Sequence, residues 1–78
     1  MALFSNLATE RQREILNTSK ETLIGELALI LLRHGEDPDS FDTANPAEIV
    51  GLAASEQLRI EKICASISII DSKITALG

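Results

Sequence analysis

Apolar positions along the chain fall into two long periodic segments separated by one short polar segment. In the first, Leu16, Leu23, Ile24, Leu27, Ile30 and Leu31 share one broad helical face, with Leu29 and Leu32 on its flank. In the second, Ile60, Ile63, Ile67, Ile70, Ile74 and Leu77 recur at alternating spacings of three and four, which is a heptad seam. Ile49, Leu52, Leu58 and Ile69 fall off that seam and widen the apolar face beyond what one facing helix covers.

The punctuation between the segments is specific. Arg33 and His34 place positive charge where a helix C-terminus favours it, Gly35 suits a left-handed closing residue, and Pro38 prevents continuation. Residues 35–45 then hold Gly, Pro and four acidic side chains, which is turn chemistry. The second helix is expected to open with Asn45 as N-cap, Pro46 at the first helical position and Glu48 reaching back to the cap. For the first helix, Ser5, Thr9 with Gln12, and Thr18 with Glu21 all fit N-terminal caps. The phase of Ile15 and Leu16 favours one continuous helix, and a break near 17–19, giving three helices, is the alternative. The expected fold is thus a single all-α domain over 1–78, an antiparallel helical hairpin with helices over about 5–34 and 46–76 and an acidic turn at 35–45.

A chain of 78 residues builds one thin core, and natural chains of this size add disulfides, a metal or a partner. Cys64 is the only cysteine, so no internal disulfide is available, and with the single His34 it falls short of a four-ligand zinc site. No cofactor or metal is expected. Association remains, and the expected form completes a bundle by dimerisation or by docking on a partner. Leu23, Leu27, Ile30, Leu31, Phe41, Ile60, Ile63, Ile67, Ile70 and Ile74 are the expected partner or oligomer interface. Phe41, alone in a polar loop, reads either as a lid over the hairpin end or as an aromatic anchor for a partner.

Charge narrows the partners. Seven Lys and Arg against twelve Asp and Glu give a net charge of -5, and two Phe without Tyr or Trp offer little for stacking on bases, so nucleic acid is not an expected partner. No apolar run reaches the roughly 18 residues of a membrane span, and the Leu23 to Leu32 stretch lacks the cationic leader of a signal peptide. The expected location is the cytoplasm, with export by a system that reads no cleaved signal left open.

Candidate chemistry is sparse. From Asp37 the acidic loop echoes a calcium-binding loop, but Phe41 stands where a ligand oxygen is needed, Asp42 stands where the turn wants Gly, and Glu48 already serves the helix start. His34 suits a helix end, and Cys64, beside Ile63, suits a core or an interface. Ser66, Ser68 and Ser72 read as a wet helix face. With no phosphate loop, nucleophile elbow or paired carboxylates, an enzyme is not expected.

Residues 45–52, opening a long C-terminal helix after a Pro-containing turn, resemble the corresponding region of type III secretion needle and inner-rod subunits, which are short helical hairpins that polymerise. Arg33, His34 and Gly35 followed by Pro38 and Phe41 resemble the turn of the hairpin co-chaperones that hold needle subunits. The aromatic and amide-rich run typical of needle subunits is missing here, and small acidic helical antiactivators are similar in design. The expected function is a non-enzymatic protein-protein interaction module, a regulator, inhibitor or chaperone that binds through an apolar helix face. The alternative is a structural or co-chaperone component of a type III secretion-like assembly.

Overall fold

A computed structural model describes residues 3–46 and 49–78. Two α-helices, α1 (Thr9–Arg33) and α2 (Ala54–Leu77), pack against each other as an antiparallel hairpin, with a 3-10 turn, Pro38–Ser40, in the connection. At 25 and 24 residues the helices are shorter than the lengths expected from the sequence. The molecule is an elongated 44 × 23 × 17 Å.

α1 runs without a break through residues 17–19. Thr18, a candidate cap, therefore lies inside the helix, where its backbone carbonyl accepts the Thr22 hydroxyl at 3.0 Å. Its start lies later than Ser5. Residues 3–7 form a turn in which the Leu7 N–H donates to the Phe4 carbonyl at 3.1 Å, and the helix begins after Ala8 with no side-chain cap. Thr9 is therefore inside the first turn. Gln12, expected to reach back to a cap, instead donates its amide to the carbonyls of Leu7 at 2.7 Å and Ser5 at 3.4 Å, and is buried in doing so.

The C-terminus of α1 closes as its sequence implies. Gly35 adopts φ +76°, its N–H donates to Leu32, and the Glu36 N–H donates to Leu31, which is the Schellman pattern.

The start of α2 does not follow the sequence expectation. Asn45 lies in a bend, Pro46 is not helical, and α2 opens only at Ala54; Glu48, the expected partner of the cap, lies outside the described residues. Between them the Leu52 N–H donates to the Ile49 carbonyl at 3.2 Å across a turn with Gly51 at φ +87°, a type II arrangement. This turn drops Ile49 into the core, where its N–H donates to the Gln57 side chain at 3.2 Å. Burying an isoleucine is worth roughly 1.5–3 kcal/mol, and a cap is worth about 1 kcal/mol. An earlier helix would also have to hold Gly51 in its interior at a further cost of about 1 kcal/mol. Burial wins over the local cap signal.

The core gathers Leu27, Ile30 and Leu31 of α1, Ile60, Ile63, Cys64 and Ile67 of α2, and Ile49 of the connection, with Leu23, Phe41 and Leu52 packed on its edge. Ile60 is completely withdrawn from water. Truncation of Ile60 to Ala is expected to cost about 2–5 kcal/mol in urea unfolding. By contrast Val50→Pro, at the second turn position and fully exposed, should change stability by less than about 1 kcal/mol. If residue 50 were inside a helix, that proline would instead cost about 3 kcal/mol.

Candidate functional site

The connection shapes one side of the hairpin. Phe41 is half-buried against the core, beside an open groove of about 260 Å³ lined by Ile24, Leu27, Ala28, Leu31 and Pro38, so it acts as the lid over the hairpin end. Thr43 lines this groove and also a groove with Cys64 and Ile67 on α2, which makes residues 41–44 a strap bridging both helices. Neither groove is enclosed.

Two carboxylates of the connection, those of Asp37 and Asp42, bond within the connection itself. Asp37 Oδ1 accepts the Asp39 N–H at 2.9 Å, Asp37 Oδ2 accepts the Ser40 hydroxyl at 3.1 Å, and Asp42 Oδ1 accepts the Ala44 N–H at 2.9 Å. Aspartates used in this way build turns. Among the described residues no group of three or more His, Cys, Asp or Glu is placed to hold a metal ion.

His34 has a partner that sequence spacing could not supply. Its Nε2 lies 3.2 Å from Glu56 Oε2 in the first turn of α2, closing the loop end of the hairpin. Lys20–Asp71 at 2.6 Å and Arg59–Glu26 at 3.3 Å join the helices farther along. All three pairs are solvent-exposed, so each adds at most about 1 kcal/mol while fixing register.

The ten expected interface residues are distributed unevenly. Leu27, Ile30, Leu31, Ile60, Ile63 and Ile67 are buried in the hairpin itself, Leu23 and Phe41 pack on its core, and Ile70 and Ile74 are half-buried along the same seam. The apolar surface left to solvent is carried by other residues. Leu29 and Leu32 on α1 are 57% and 59% exposed, and Leu58 and Ile69 on α2 are 52% and 62% exposed. Helical phase puts each pair on the face turned away from the opposite helix. Leu58 and Ile69 had signalled their separateness by falling off the isoleucine seam.

No helix among the described residues is long and apolar enough to cross a membrane.

Cys64 is buried under the strap. Burial pushes its thiol pKa up, and the charge of Glu61 adds to the effect. A folded-state pKa above the unfolded one means that the fold holds this proton more tightly. The stabilisation is complete below the unfolded thiol's pKa and declines as pH rises through the alkaline window above it. Iodoacetamide should accordingly label native protein at least about ten-fold more slowly than urea-unfolded protein, since the thiolate is the nucleophile. Equal rates measured by mass spectrometry would place the thiol in the open.

No known protein family matches this chain, and comparison with curated proteins and with solved structures likewise finds no match.

Proposed function

We propose that this protein is a non-enzymatic interaction module, a regulator, inhibitor or chaperone that binds a partner protein through the outer apolar faces of its hairpin and associates with itself. The observation that carries this reading is the exposure of Leu29, Leu32, Leu58 and Ile69, four large aliphatic side chains that the hairpin's own core does not use. Their contact with water is unfavourable by about 25 cal/mol per Å², and a covering protein surface removes that cost. Open shallow grooves and carboxylates committed to turns support binding over chemistry.

Charge placement supports a partner that approaches the helices and not the connection. Glu36, Asp37, Asp39, Asp42 and Glu48 lie in a stretch without Lys or Arg, whereas charges within α1 and within α2 balance, so the net -5 belongs to the connection. An acidic end repels nucleic acid and anionic lipid and leaves the neutral helix faces for docking. A single unpaired thiol suits a reducing compartment, which supports the cytoplasm as the place of action. The resemblance to needle and rod subunits rests on residues 45–52 opening a helix, and here α2 opens at Ala54.

Photo-crosslinking from positions 29, 58 and 69 in the full chain tests this reading in the native host. Adducts with protein are expected at one or more of these positions, and on α2 they should be lost from position 58 when Ile69 is changed to Glu and from position 69 when Leu58 is changed to Glu. A folded chain that gives no protein adduct from any of the three positions would overturn it.

A further inference from the structure

The charges of α2 balance in sum but not in position. Its acids turn to the rest of the molecule: Glu56 meets His34 at 3.2 Å, Asp71 holds Lys20 at 2.6 Å, and Glu61 lines a groove beside the strap. Lys62 and Lys73 have no ion-pair partner among the described residues. Leu58, Lys62, Ala65, Ile69 and Lys73 follow at spacings of four, three, four and four, and all are exposed, so the outer face of α2 is a cationic aliphatic stripe.

The groove beside Phe41 has the opposite character. Glu21, Ile24, Ala28 and Leu31 follow on α1 at spacings of three, four and three, so Glu21 stands at one end of the groove and Asp39, which lines it, at the loop end. Neither carboxylate has a hydrogen-bond or ion-pair partner among the described residues. Among the same residues, the grooves along the strap are lined by Asp39, Glu61 and Asp71 and by no Lys or Arg. At about 260 Å³ and open to solvent, the groove falls short of the roughly 300–1,000 Å³ of small-molecule sites and suits a side chain presented by another surface.

We infer that a second copy of this chain fills the groove with the outer face of its α2, so that Ile69 enters between Ile24 and Phe41 while Lys62 and Lys73 reach Glu21 and Asp39. The inference rests on the interaction-module reading and names the partner for the α2 face. Complementary sign selects this occupant, since unpaired carboxylates that turn anionic surfaces away draw a cationic one. The spans agree as well: Lys62 and Lys73 stand about 16 Å apart along their helix, and Glu21 stands about 15 Å from Leu31 at the Asp39 end of the groove. The contact covers two aliphatic side chains that the hairpin leaves wet, Ile24 at 45% and Ile69 at 62% exposed. Stripe and groove are different surfaces, so each contact leaves a free stripe on one copy and a free groove on the other, and assembly continues beyond a pair.

Sedimentation velocity of the full chain tests the inference. The unaltered protein should grow beyond a dimer as its concentration rises, and the growth should weaken as sodium chloride is raised. Ile24→Asn and Ile69→Asn should each weaken assembly at least about ten-fold with the helical circular dichroism retained, and a mixture of the two should give dimers and nothing larger, because one intact stripe meets one intact groove. Lys62→Glu with Lys73→Glu should likewise prevent assembly, and adding Glu21→Lys with Asp39→Lys to that chain should restore it. A chain that stays monomeric to millimolar concentration or stops at a closed dimer would overturn the inference, as would assembly indifferent to salt or a charge reversal that is not rescued. Crosslinks from position 29 to another protein would survive any of those results, so this inference can fail while the interaction-module reading stands.

Discussion

The hairpin depends on the closure of three isoleucines, Ile60, Ile63 and Ile67, over Leu27, Ile30 and Leu31. Two helices alone leave such a seam open along one side. In this chain the connection supplies the missing wall, because Ile49 enters the same core and Phe41 and Leu52 lie on its edge. The core is accordingly densest at the loop end. Toward the chain termini, where the strap does not reach, Ile70, Ile74 and Leu77 are only half-buried.

That gradient explains which parts of the fold could be read from the residue pattern. The end of α1 was legible because Arg33, His34 and Gly35 act locally, through carbonyls and a left-handed glycine within one turn. The start of α2 was not. Asn45 and Pro46 carry a local preference worth about 1 kcal/mol, while Ile49 responds to a core assembled from residues more than ten positions away in either direction. Local signals decide where no burial competes with them, and here burial competes.

The candidate surface was legible only in part, and for a related reason. Periodicity identifies apolar stripes but does not say which of two stripes on a helix the fold itself consumes. On α2 the six-membered seam from Ile60 to Leu77 is the one turned inward, and Leu58 and Ile69, apparent outliers on that seam, form the outer face. On α1 the same division separates Leu27, Ile30 and Leu31 from Leu29 and Leu32. His34 with Glu56 belongs to the same class of unreadable feature, since only the antiparallel register brings residues so far apart in sequence within 3.2 Å.

Charge and packing then act on different parts of one small molecule. The helices are electrically balanced, and the surplus of negative charge is confined to the connection, whose aspartates are already needed as turn formers. The residues that build the turn therefore also gather like charge at one end of the hairpin. Gly25 weakens α1 as an isolated helix without relieving any contact inside the hairpin, so the packing of the seam and not helix propensity holds that stretch of α1 helical.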